Sequence, residues 1–353
     1  MASVDPFRPA GLPEQPILWL GMSGFTPEQR RSLESCLDRP DNQPRWRVCA
    51  FGDADAWWVN GARAQLAADG NLRVGGGLPT ERALKLDLSE VDRPVAFALP
   101  LAGDDFEPRC TFDPLSQPSI LGVLLQFETW LWLTRAEFVL GARIVRCEPQ
   151  ARHGVYQVSQ GGRLLAVIDF EQGRAAIMPR AHPVDLWEAR WDRRPVGAHD
   201  FPESSVPVTP AQLAWAYVRR TDRDLLPPRY RAETIYYRHV PGVPMRWLRD
   251  SQLMLLRELS AEPATLTTLR QLTGMPISGI EHDLTCLYYA GAITTTRSRA
   301  AVKTALRADS QPHTSGPELE SLLRADAHVQ HMSDQTAPAQ LEHLRARLPQ
   351  DGR

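Results

Sequence analysis

Residues 155–178 read VYQVSQGGRLLAVIDFEQGRAAIM. Three apolar-rich runs, Val155 to Val158, Leu164 to Phe170 and Ala175 to Met178, are separated by Gly161-Gly162 and by Gln172-Gly173. Glycine supplies the positive φ that tight hairpin turns demand. The stretch therefore predicts a three-stranded antiparallel meander.

Upstream, Leu121, Leu124, Leu125, Trp132 and Leu133 predict an apolar helix ahead of the meander. That helix, with the phrase Ile168-Asp169-Phe170-Glu171-Gln172-Gly173-Arg174, resembles the PATAN-type domain of bacterial regulatory proteins. The resemblance covers about 60 residues and implies an interaction module in a signalling chain; it brings no catalytic set. Residues 180–210 are rich in Pro and polar residues and predict a linker, with Trp187 and Trp191 packing back onto the meander. We place this unit at 114–200.

Toward the N-terminus, Ile17-Leu18-Trp19-Leu20 ends at Gly21 and predicts a strand. Thr26-Pro27-Glu28 then reads as a helix start, with Thr as N-cap and Pro in the first turn. Residues 45–51 alternate as a strand, and further strands are expected at Ala83 to Leu88 and Arg93 to Pro100. Together they predict a small α/β layer with a mostly parallel sheet over 14–112. This part resembles a response-regulator receiver domain that has lost its chemistry. A receiver carries acidic residues after its first strand, where Gly21-Met22-Ser23 stands, and a Lys before a Pro, where Leu99 precedes Pro100. Asp53 and Asp55 form an acidic pair near a strand end, open to two readings: a metal ligand set or a solvated loop.

Downstream, Arg219, Arg220, Arg223, Arg229, Arg231 and Arg238 interleave with Tyr217, Tyr230, Tyr236 and Tyr237. Arginines among aromatics can hold phosphates and stack on bases. Arg219 and Arg223 have the Arg-x-x-x-Arg spacing that PilZ domains use for cyclic di-GMP, although the second half of that family's pattern is absent. Three helices then follow. Asp250 or Ser251 caps the first, Ala264-Thr265 opens the second before Gly274, and Ser278 opens the third, which ends at Gly291. A strand at Ala292 to Thr296 completes the outline of a winged helix, and 205–303 forms a helical segment plus that domain. Its third helix reads with Glu281, His282 and Asp283 exposed, which repels a duplex whose phosphates dominate affinity. Tyr289 and the later Arg297 and Arg299 complete the candidate partner or nucleic-acid surface. Beyond it, 304–353 reads as a flexible, disordered C-terminal tail with two short amphipathic pieces.

Composition limits the function classes. The 353 residues carry 40 Lys+Arg against 42 Asp+Glu, a net charge of -2, which excludes a polycationic coat and an acidic disordered chain. Only Lys85 and Lys303 are lysines, as in chains from GC-rich bacterial genomes. The most apolar run, Ile120 to Leu133, is interrupted by Gln126 and Glu128 and falls short of the roughly 20 residues of a membrane span. No secretory leader is expected, and five scattered cysteines without a Cys-x-x-Cys pair fit reduced thiols in a cytoplasm. There is no P-loop, no Gly-x-Ser-x-Gly and no His-Glu-x-x-His; Gly75-Gly76-Gly77 lacks the Lys-Ser/Thr of a phosphate cradle. No catalytic, cofactor or metal residue is therefore assigned. The expected protein is a non-enzymatic, cytoplasmic, multidomain α/β and α+β regulator that acts on a protein partner. DNA binding through the winged helix and a response to cyclic di-GMP remain the alternatives.

Overall fold

A computed structural model describes residues 13–38, 43–67, 70–77, 82–87, 89–103, 107–147 and 152–301. Strands β1 (Ile17–Ser23), β2 (Arg45–Cys49), β3 (Ala56–Asn60), β7 (Val95–Ala98) and β8 (Thr111–Phe112) form one sheet. Its order is β2-β1-β3-β7-β8 and every neighbouring pair is parallel. Side chains alternate across it, as a two-residue period requires. Leu18, Leu20, Trp46, Ala56, Trp58, Ala96 and Phe112 are buried on one face. Helix α1 (Pro27–Ser35), capped by Thr26 and Gln29, and α2 (Gln117–Trp130) cover that face through Leu33, Ile120, Leu124 and Phe127. Val59 and Phe97 point the other way, onto a three-stranded antiparallel sheet of β4 (Ala64–Leu66), β5 (Leu72–Val74) and β6 (Leu84–Leu86). The strand expected at 83–88 thus belongs to this small cover and not to the parallel sheet.

The apolar helix expected across Leu121 to Leu133 is two helices. They break at Leu131, and α3 (Trp132–Arg146) follows α2 directly. The two serve different cores: α2 closes the first sheet, whereas α3 carries Phe138, Leu140 and Ile144 into the second core. The sequence boundary at 112–114 therefore falls before a helix that packs with the first sheet.

The meander forms as expected from β9 (Val155–Gln160), β10 (Arg163–Asp169) and β11 (Arg174–Ile177), with positive φ at Gly161, Gly162 and Gly173. The stretch expected to be a linker supplies more than a linker. Helix α4 (Pro183–Glu188) and strand β12 (Arg190–Arg193) bury Trp187 and Trp191, and β13 (Val206–Val208) pairs with β11. The result is a five-stranded antiparallel sheet, β12-β9-β10-β11-β13. Pro207 is tolerated because β13 is an edge strand, where one side of the backbone needs no donor. The intervening loop is tied back by His199, whose Nδ1 lies 2.7 Å from the buried carboxylate of Asp169.

Helix α5 (Pro210–Arg220) lies along α3 at close range. Gly141 permits this approach: a Cβ there would sit 1.9 Å from the Leu213 carbonyl oxygen. After α6 (Arg229–Ala232) and β14 (Tyr236–Tyr237) come α7 (Asp250–Ala261), α8 (Leu266–Thr273) and α9 (Ile277–Tyr289), then β15 (Ile293–Thr294). Helix α8 begins at the expected Thr265 cap and ends at Gly274, whose φ of 67° fits the left-handed C-cap. Strands β14 and β15 pair antiparallel, and Ile235 bridges Ala264. One core runs without a break from Ala136 to Ile293, so the boundary read at 200–205 falls inside a single core. The tail expected over 304–353 lies outside the described residues. No helix among the described residues is long and apolar enough to cross a membrane.

Candidate functional site

The last turn of α5 is where the first sheet, the meander core and the α7–α9 helices meet. Arg220, read from sequence as a surface residue, is buried there. Its NH1 and NH2 donate to Asp55 Oδ2 and Oδ1 at 2.5 and 2.7 Å, and NH1 also reaches the Ile17 carbonyl at 3.3 Å. Asp55 Oδ2 accepts from the Trp19 amide at 2.9 Å. Burial works against the Asp55 charge, but Arg220 and the Trp19 amide outweigh it and hold the carboxyl below its ordinary range. The acidic pair Asp53/Asp55 is thereby split: Asp55 is engaged by Arg220, while Asp53 stays exposed. Of the two readings, neither the metal set nor a solvated loop describes Asp55. Among the described residues no group of three or more His, Cys, Asp or Glu could hold a metal.

A second carboxylate draws the N-terminal segment into the same seam. Glu14 accepts from Arg146 at 2.5 Å, Tyr217 Oη at 3.0 Å, Arg223 Nε at 2.7 Å and the Thr221 hydroxyl. Arg45 and Arg47 of β2 share Asp222 at 2.6 and 2.8 Å. Half-buried Glu137 on α3 completes the seam; burial pushes its carboxyl up to about 7, with Arg220 opposing.

The basic segment consequently divides. Arg220 and Arg223 are held by Asp55 and Glu14, and Arg231 by Asp224 and Glu281 at 2.7 and 2.6 Å. Arg219 is half-buried, and Tyr289 is half-buried with its ring 4.9 Å from Tyr288. Arg229, Arg238, Arg297 and Arg299 remain exposed and make no ion pair among the described residues. Arg238 adjoins the β14–β15 ladder through its amide bond to the Ala292 carbonyl, and the Ala301 amide bonds the Tyr237 carbonyl. The sequence could not separate these groups, since acidic partners such as Glu14 and Asp55 lie far away in the chain from Arg223 and Arg220.

The third helix differs from its sequence reading. Asp283 is buried and accepts from Gln252 Nε2 at 3.0 Å, and Glu281 holds Arg231. From Ile280 to Ala290 every residue of this stretch is buried or half-buried; exposure is confined to Ile277 and Ser278 at the start of α9. A recognition helix presents its N-terminal residues to base edges in the major groove, which needs a free face along the helix. Helix α9 instead packs between α5, α7 and α8.

At the first sheet, the crevice beyond the strand ends is filled by the chain itself. Gly77 lies so close to Phe25 that a Cβ would meet its carbonyl oxygen at 2.1 Å, and Asn60 Nδ2 bonds the Gly24 carbonyl at 2.9 Å. This is the place where open α/β sheets bind ligands. The Gly-rich loop thus serves packing. An open cleft of about 760 Å³ lies to one side, lined by Leu99, Leu101, Glu107, Asp113 and Leu115. It adjoins the start of α2, whose outer face shows Pro118, Gly122, Leu125, Gln126, Thr129 and Trp130. The single charged residue of α2, Glu128, is buried and accepts from Trp46 Nε1 at 3.0 Å. The sequence did not mark this face as solvent-facing, because no charged residue stands on it. Comparisons with protein-family models, with curated proteins and with solved structures find no match to this chain.

Proposed function

We propose that the chain is a regulatory protein of the bacterial cytoplasm that acts non-enzymatically, by binding another protein. The first sheet serves as a degenerate receiver-like layer, the second sheet as a PATAN-like coupler, and α7–α9 as a winged-helix scaffold. The strand order of the first sheet, 2-1-3-4-5 when only its own strands are counted, supports the receiver-like reading. The observation that carries the function is the uncharged, exposed outer face of α2, whose first turn follows in the chain the cleft-lining Leu115, which is 93% exposed. Apolar surface gathered in one place marks an interaction site more often than scattered apolar residues do. Glu107 and Asp113 at the cleft rim make no ion pair among the described residues, so the fitting partner carries apolar side chains flanked by a cation.

A charged substitution on this face tests the reading. Leu125→Arg is expected to abolish co-purification of a stoichiometric partner while leaving the far-UV spectrum and melting midpoint unchanged. Retention of the same partner by the variant would refute it. Exposed Arg238, Arg297 and Arg299 favour one second reading, phosphate contact with duplex DNA. A salt-dependent gel shift lost in an Arg297→Ala/Arg299→Ala variant would support that reading over the first.

A further inference from the structure

The loop between β12 and β13 is held by an imidazole whose two nitrogens face two carboxylates. His199 Nδ1 lies 2.7 Å from Asp169 Oδ2, and its Nε2 lies 3.8 Å from Glu171 Oε2. The Asp169 side chain is wholly buried, and its other oxygen accepts from the Glu171 and Gln172 amides at 2.9 Å each. Burial works against the Asp169 charge, but those amides and His199 hold the carboxyl below its ordinary range. An ionised carboxylate only accepts, so Nδ1 carries the proton between the two groups. The neutral ring then turns its Nε2 lone pair toward Glu171.

Orientation, spacing and access each suit that outer nitrogen to a cation. A carboxylate on the Nδ1 proton fixes the ring and raises the basicity of Nε2, the arrangement that orients histidine ligands in metal sites. The 3.8 Å between Nε2 and Oε2 is too long for a hydrogen bond. Bonds of about 2.0–2.2 Å to one ion, however, place two ligand atoms as much as about 4 Å apart. The His199 and Glu171 side chains are 29% and 51% exposed, so an ion can enter from solvent and Glu171 can adjust to it. Neither neighbouring guanidinium takes these carboxylates. Arg174, opposite Asp169 in the β10–β11 register, lies 4.9 Å over the Phe201 ring, and Arg194 donates to the Asp200 carbonyl at 2.7 Å.

We propose that His199 Nε2 and the Glu171 carboxylate bind a divalent transition-metal ion of the zinc class, with Asp169 as the positioning residue for the ring. Imidazole and carboxylate are both ligands that Zn²⁺ accepts. The protein supplies two ligands and water the rest, so the ion is exchangeable. Glu171 stands in the turn between β10 and β11, and His199 in the loop that leads to edge strand β13. A bound ion therefore fastens that loop to the hairpin. The site shares no residue with the α2 face, so either proposal can fail without the other.

The test titrates Zn²⁺ into the full chain, free of any affinity tag, at neutral pH and follows the melting midpoint. Glu171→Gln removes one ligand from an exposed turn, and His199→Gln removes the other. His328→Gln/His331→Gln, at a histidine pair outside the described residues, is the control. The native chain and the control are expected to gain in melting midpoint with Zn²⁺. In either site variant half of that gain should need at least about tenfold more Zn²⁺. If His199→Gln fails to fold because Asp169 loses its partner, Glu171→Gln alone decides. An equal gain in the native chain and Glu171→Gln, or its loss in the control, places the ion elsewhere and overturns the proposal. Absence of any gain overturns it as well and leaves only a proton between the imidazole and Glu171.

Discussion

Asp55 and Arg220 face one another across 165 residues of chain as a two-pronged ion pair, with oxygen–nitrogen distances of 2.5 and 2.7 Å, Arg220 buried and the Asp55 side chain 11% exposed. The pair fastens the end of the first parallel sheet to the last turn of α5, and α5 in turn packs on α3 and α9. Its removal is a first prediction. Asp55→Asn leaves a buried guanidinium without its counter-charge, so a loss of about 3–5 kcal/mol is expected in urea denaturation. Replacing both partners by apolar residues is expected to cost less than the single change. Because the Asp55 carboxyl is held low in the fold, its contribution is present above the unfolded carboxyl pKa, about 3.9, and is lost as pH falls through the lower folded value. A native chain that loses no more stability than Asp55→Asn on acidification would contradict this.

Glu137 has the opposite sign. Burial raises its carboxyl to about 7, so the folded chain holds a proton that the unfolded chain has released. Its contribution to stability is present below the unfolded carboxyl range and falls as pH rises toward 7. Glu137→Gln should flatten that slope. Denaturant midpoints measured from pH 5 to 8 in the two proteins check it, and parallel curves would speak against it.

The α3–α5 contact depends on the missing side chain of Gly141. With a Cβ placed 1.9 Å from the Leu213 carbonyl, Gly141→Ala forces the helices apart. A loss of about 1–3 kcal/mol is expected, in the range of core overpacking, despite the better helix propensity of Ala. Thermal melting decides the sign, and a stabilised variant would refute the close packing.

What the sequence revealed and what it hid follows from range. The meander was legible because Gly161, Gly162 and Gly173 impose their turns locally. The cap at Thr265 and stop at Gly274 were legible for the same reason. The break at Leu131 was not, since neither Gly nor Pro marks it and both helices are apolar. Nor was the fate of residues 180–210, where polarity and proline hid two edge strands that need only one hydrogen-bonded side. The basic segment misled most. Its arginines are locally solvent-like in composition, yet Glu14, Asp55 and Glu281 reach them from distant parts of the chain. Asp283 was read as exposed because its partner Gln252 sits on another helix.

Helix α9, enclosed by α5, α7 and α8, should be among the slowest elements to exchange its amide hydrogens. Amides from Leu284 to Leu287 are expected to exchange through global unfolding, tracking denaturant stability. Fast exchange there, with α5 still protected, would mean that α9 opens locally and is free to enter a DNA groove.

The uncharged face of α2 is the surface through which we propose this chain works. The most direct measurement is quantitative co-purification from a bacterial lysate with the native chain and with Leu125→Arg, both confirmed folded. One stoichiometric protein partner is expected with the native chain, and its loss with the variant. Recovery of the same partner by both, or retention of duplex DNA with no protein partner, would contradict it.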